Sequence, residues 1–187
     1  MKKVFFAVTF FAGLATIQAQ SSAQFTLTPE GFSDYVVTDV PGKSQADLYK
    51  KTIEWISTAV KHPTEKIVSK TENQKIVFEG TDKIVSLNGA MKLSYESRYQ
   101  IEVSFKEGKY KFDLLKLEYN TPRTAHGPGG WRDFELTDVG VYFTKQGELR
   151  PANKFHSEIP EYFNNLNNDL KRYIESGAKL PEKKSDW

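Results

Sequence analysis

Between positions 123 and 133 the chain reads RTAHGPGGWRD, which gathers a histidine, two arginines, an aspartate, a tryptophan and three glycines in one short stretch. In a catalytic site of this composition His126 would be the general base and Asp133 the carboxylate that orients it. Arg123 or Arg132 would clamp an anion, because developing charge needs a stabiliser. No nucleophile accompanies them: a GxSxG motif is absent and the chain has no cysteine. Gly127, Gly129 and Gly130 do not form a phosphate-cradling GxxxxGK[ST] loop. The three histidines, His62, His126 and His156, stand singly, without HExxH or HxH spacing. The sequence thus supports no catalytic residue, no metal site and no cofactor. The stretch reads as a turn-rich connection with Trp131 packed against a sheet, and Arg123, His126, Trp131 and Arg132 are its candidate ligand-binding residues.

The beginning of the chain bears on where such a loop would work. MKKVFFAVTFFAGLATIQAQ carries Lys2 and Lys3, then an apolar run from Val4 to Ile17, then small and polar residues, the layout of a secretory signal peptide. Cleavage is expected after Ala19, with Ala23 as the alternative. The apolar run is shorter than the ~20 residues that span a bilayer, and no second one follows, so the mature chain should have no transmembrane segment. The absence of cysteine excludes a thioether-linked lipoprotein, disulfides and thiolate metal sites. The expected location is the periplasm or the exterior.

Charge narrows the partners. The whole chain has 26 Lys plus Arg against 24 Asp plus Glu, and the leader's two lysines are the entire excess. The mature chain is formally neutral, with Lys and Glu interleaved along the presumed strands. A nucleic-acid binder needs clustered basic surplus, since phosphate neutralisation supplies most of its affinity. Nucleic acid is therefore not an expected partner.

The elements that must position the loop follow from periodicity. SDYVVTDV (33–40) reads as a strand stopping at Pro41-Gly42. Ser44 and Asp47 have capping-box spacing, and Tyr49, Ile53, Ile56 and Val60, widened by Leu48, Trp55 and Ala59, form one face of a helix ending at Lys61 or His62, before Pro63. His62 there serves the negative end of the helix dipole. KIVSK and KIVFEG flank a turn at Glu72-Asn73-Gln74, predicting a hairpin over 66–80.

Met91, Leu93, Tyr95, Tyr99, Ile101, Val103 and Phe105 occupy odd positions and polar residues the even ones, so this strand should have one buried and one wet face. Tyr110, Phe112 and Leu114 alternate on even positions before Leu115, Leu117 and Tyr119 continue on odd ones. That phase change predicts a β-bulge near Asp113 or Leu114. FELTDVGVYFT (134–144) suggests one more short strand, broken by Gly140. Ile159, Tyr162, Phe163, Leu166, Leu170, Tyr173 and Ile174 make the face of a last helix, with Pro160 in its first turn and Gly177 as its cap. Asn164, Asn165, Asn167 and Asn168 are poor helix formers, so packing must hold it.

The sum is an α+β two-layer sandwich, a mostly antiparallel sheet with helices on one face in the order β-α-β-β-β-β-(β)-α. The expected organisation is a leader (1–19), a short segment (20–27), one domain (28–176) and a charged tail (177–187). Within the domain, 121–157 is loop-rich and 158–176 is the last helix.

LTPEGF (27–32), the strand YVV, VPGKSQADLYKKTIEWI (40–56) and IVFEG (76–80) resemble the domain of unknown function found in exported Bacteroides-type proteins and described as having a TATA-binding-protein-like (TBP-like) fold. The resemblance covers about residues 28–120. It implies the same two-layer fold, and it implies no activity and no catalytic residues.

Three function classes stay open. The first is a non-enzymatic envelope or secreted module binding a partner protein, a peptide or a glycan; nine tyrosines, thirteen phenylalanines and three tryptophans exceed what a small core needs. The second is a periplasmic hydrolase using His126 or His156 beside a carboxylate. The third is an assembly protein acting through an exposed sheet edge.

Overall fold

Ser44 starts the first long helix as its spacing predicts. Its Oγ accepts the Asp47 amide at 3.1 Å and donates to the Asp47 carboxylate at 2.7 Å. The computed structural model describes residues 24–59, 67–89, 91–124 and 127–176. The leader, the helix end at 61–62, His126, Gly177 and the charged tail lie outside the described residues.

The strands are β1 (Leu27–Thr28), β2 (Gly31–Phe32), β3 (Tyr35–Asp39), β4 (Ile67–Thr71), β5 (Lys75–Asn88), β6 (Lys92–Lys106), β7 (Lys109–Thr121) and β8 (Gly130–Asp133). The helices are α1 (Gln45–Ala59) and α2 (Glu158–Ser176). β3, β7, β6, β5 and β4 lie side by side in that order, β8 joins the same edge of β7 as β3, and all pairings are antiparallel. Both helices cover one face. Leu48, Trp55 and Ile56 of α1 and Ile159, Phe163, Leu170 and Ile174 of α2 are buried against Phe78, Ile101, Val103 and Phe112 of the sheet. The α+β expectation holds.

The helix-forming weakness of the Asn run is offset by specific bonds. Asn164 accepts the Phe25 amide at 2.7 Å and donates to the Phe25 carbonyl at 3.0 Å, tying the N-terminal segment to α2. Buried Asn167 donates to Thr38 Oγ1 at 2.9 Å and accepts the Tyr110 hydroxyl at 2.8 Å. The helix thus carries polar anchors on the same face as its apolar ones.

Several sequence expectations shift. The bulge in β7 falls at Leu115, where Gln100 pairs with Lys116 and Ile101 with Leu114, and the extra residue turns outward. β5 does not stop at Gly80 but runs to Asn88, with a second irregularity at Ile84-Val85 that lets both side chains be buried. The buried Ser97 hydroxyl accepts the Val85 amide there at 3.1 Å. LTPEGF forms a small hairpin, Leu27 opposite Phe32.

The short strand expected within 134–144 lies earlier, at Gly130–Asp133. Val139–Tyr142 is a 3₁₀ turn instead, and a second 3₁₀ segment spans Pro151–Ser157. Gly140 ends no strand because backbone pairing with β7 finishes with the Phe134 amide on the Leu117 carbonyl at 2.8 Å, well before Gly140.

The alternation in β6 also needs correction at its start. Odd positions are buried from Ser97 to Phe105, but Met91 is 70% and Leu93 46% exposed. The aromatic wealth goes mainly into the core: Phe25 touches Phe32, Phe112 and Phe163, and Trp55 meets Phe78 edge-on. It therefore cannot by itself argue for a binding surface.

Candidate functional site

RTAHGPGGWRD is the crossing of a β-hairpin. Thr121 pairs with Gly130, and farther out the Thr124 amide donates to the Gly127 carbonyl at 2.9 Å. Gly129 adopts φ 72°, and a Cβ there would lie 2.5 Å from the Arg123 amide nitrogen, so only glycine lets the two arms approach.

Strand alternation separates the candidate residues. Trp131 pairs with Asn120 and Arg132 with Tyr119, so their side chains leave opposite faces of the sheet. Arg132 Nε donates to the Thr121 hydroxyl at 3.2 Å. Arg123 is exposed. His126 lies outside the described residues, so no geometry joins it to Asp133, whose carboxylate is 3.6 Å from Lys116 Nζ.

On the face away from the helices, Trp131 completes a cluster that sequence reading missed. The Arg98 guanidinium lies 4.4 Å from the Trp131 ring centre. It also grips Glu118 with two bonds, Nε to Oε2 at 2.6 Å and Nη2 to Oε1 at 3.1 Å. Lys116 adds a third cationic contact at 3.0 Å. The Arg98 hydrogen bonds hold the Glu118 carboxyl below its ordinary range, with Lys116 contributing, and Glu118 in turn raises Arg98 and Lys116. Trp131 thus has the Arg98 guanidinium over its ring and is 39% exposed. Arg98 and Glu118 sat among the even, polar positions of two strands, and only the β6–β7 register makes them partners.

The same open face carries Lys75 bonded to Glu102 at 2.9 Å and Lys111 bonded to Asp113 at 2.8 Å. These cations are neutralised within the protein, the reverse of what phosphate binding requires. Among the described residues no three His, Asp or Glu side chains converge to hold a metal ion. No described helix is long and apolar enough to cross a membrane.

His156 is not poised beside a carboxylate. It is 2% exposed, neither ring nitrogen has a hydrogen-bond partner among the described residues, and its ring stands edge-on to Phe134 and Tyr142. Burial lowers its pKa to about 4. A general base needs an acceptor nitrogen within reach of substrate, and this one is sealed in an aromatic box.

Residues 35–120 match the family model described as a domain of unknown function (DUF4468) with TBP-like fold. The family resemblance holds. The matched segment spans β3 to the end of β7, leaving β8 and α2 outside it. A crystal structure of a DUF4468 family protein from Bacteroides ovatus is similar over 81% of this chain and 90% of that one, with TM-score 0.54 and 17% identity. A TBP-like protein from Parabacteroides distasonis is similar over 76% of this chain and 91% of its own, with TM-score 0.52 and 11% identity. At these identities the likeness fixes the fold alone. No curated protein matches.

Proposed function

We propose that the chain is an exported, non-enzymatic recognition module that engages a partner at the β7–β8 hairpin end of its sheet. The observation that carries the reading is Trp131, a large aromatic side chain with the Glu118-bound Arg98 guanidinium over its ring yet left 39% exposed. A preorganised aromatic at low conformational cost is the kind of residue on which interfaces depend. Export is supported by the N-terminal layout of Lys2, Lys3 and an apolar run, and places the partner in the cell envelope or outside it. A hydrolase is disfavoured by the burial of His156 and by the lack of a nucleophile motif.

The test is a pull-down from envelope extract with the chain lacking its leader, comparing wild type with an Arg123→Ala, Trp131→Ala double variant of verified fold. A partner retained by wild type and lost by the variant is the expected result. Equal retention by both would remove the hairpin from recognition, and a cleavage product released from any envelope component would overturn the non-enzymatic reading.

A further inference from the structure

The β6–β7 ladder ends at Ser97 opposite Tyr119. Yet β6 continues back to Lys92 against β5, and β7 continues on to Thr121 against β8. The two strands fork. Between them lies a shallow, open depression of about 380 Å³ lined by Leu93, Ser94, Tyr95, Glu96, Asn120 and Pro122.

Its lining is chemically divided. Leu93 and Tyr95 project to one side of the sheet and Ser94 and Glu96 to the other. Tyr95 is tilted against Tyr119 with ring centroids 5.9 Å apart, which steadies its orientation. Four neighbouring cations are engaged elsewhere, Arg98 and Lys116 with Glu118, Lys92 with Glu158, and Arg132 with Thr121, while Lys83 stands opposite Glu96 across β5 and β6 and Arg123 follows Pro122, both outside the lining. The one charge in the lining is the Glu96 carboxylate.

Within the lining an anionic ligand would meet that carboxylate and no cation, so the lining itself disfavours a negative charge. A purely aliphatic one would strip water from Glu96 and Asn120 and return no hydrogen bond, while the Ser94 hydroxyl already shares a 2.9 Å bond with Ser86. A molecule with C–H faces and hydroxyl edges satisfies both halves, the faces on the aromatic ring and proline, the edges on hydroxyl, carboxylate and amide.

We infer that the fork between β6 and β7 binds a neutral saccharide, with Tyr95 as the stacking surface and Ser94, Glu96 and Asn120 as hydrogen-bonding groups. This rests on the recognition-module reading and names its ligand class. Trp131, paired with Asn120 on the opposite face, offers a second aromatic surface to a longer saccharide.

The chain lacking its leader is applied to an array of neutral, uronic and sialylated glycans, and any ligand found is titrated calorimetrically. Neutral glycans should bind, Tyr95→Ala should weaken binding about tenfold, Tyr95→Phe should keep most of it, and Asn120→Ala should weaken it. Absence of any neutral glycan at millimolar concentration, selection of charged glycans only, or indifference to Tyr95→Ala and Asn120→Ala would each overturn the assignment. If the pull-down retains a partner while the array retains none, the saccharide fails and the recognition module stands; if both are empty, both fail.

Discussion

Gly80 and Tyr99 face each other across β5 and β6, and a methyl group on Gly80 would fall 2.2 Å from the Tyr99 ring. The ring is 5% exposed and packs on Phe78, Phe163 and Tyr162, so it has little room to retreat. Burial pushes its phenol up to about 12. Gly80→Ala should destabilise the chain by at least ~1–3 kcal/mol, the ordinary cost of overpacking. Adding Tyr99→Leu to Gly80→Ala should recover part of that loss. Urea denaturation of the single and double variants measures both, and additive penalties would contradict the close approach.

Trp55 is fully buried on α1, edge-on to Phe78. Trp55→Ala should cost on the order of 3–5 kcal/mol, since little nearby can collapse into the space left by the largest side chain. Its indole nitrogen has no hydrogen-bond partner among the described residues, so Trp55→Phe forfeits no such bond and should cost distinctly less. A thermal melt of Trp55→Ala close to that of wild type would show that the α1 face does not support the core.

Asn167 holds Thr38 of β3 and Tyr110 of β7 to α2. Asn167→Leu keeps approximate volume but removes the side-chain partner of both hydroxyls; Tyr110 keeps the residue-167 carbonyl at 3.2 Å, so the loss of ~1–3 kcal/mol for a stranded group falls mainly on Thr38. In the Thr38→Val, Tyr110→Phe background the same substitution should be much less harmful. Chemical denaturation of this set decides whether the three act as one network, and equal penalties in both backgrounds would dissolve it.

The parts of the fold legible in the sequence were those set by local rules. Ser44 and Asp47 announced the start of α1, and the parity change between Leu114 and Leu117 announced the β7 bulge to within a residue or two. What depended on pairing between distant segments was not legible. Arg98 and Glu118 are twenty residues apart and meet only through strand register, so their support of Trp131 was invisible. The fork at Ser97 was hidden for the same reason, because Met91 and Leu93 continue the odd pattern even though they are exposed. Trp131 and Arg132 looked like one cluster in a loop and became opposite faces once Gly130–Asp133 proved to be a strand.

His156 supplies a prediction with a defined sign. Its ring stands edge-on to Phe134 and Tyr142, and the Tyr142 hydroxyl already accepts the Glu135 amide at 2.8 Å. Burial lowers the folded pKa to about 4 from an ordinary 6.5. Between those values the unfolded chain binds the proton and the folded chain does not. The contribution of neutral His156 is therefore complete above pH 6.5 and is lost progressively as pH falls toward 4. The window is worth on the order of 3 kcal/mol, from ~1.36 kcal/mol for each pH unit. His156→Phe cannot take up that proton and should remove this part of the acid sensitivity, while the carboxylates titrate alike in both proteins. Unfolding free energies of the two, measured from pH 7 to 4, should diverge steadily below 6.5. Parallel curves would mean that His156 is protonated in the folded protein and that the aromatic box admits water.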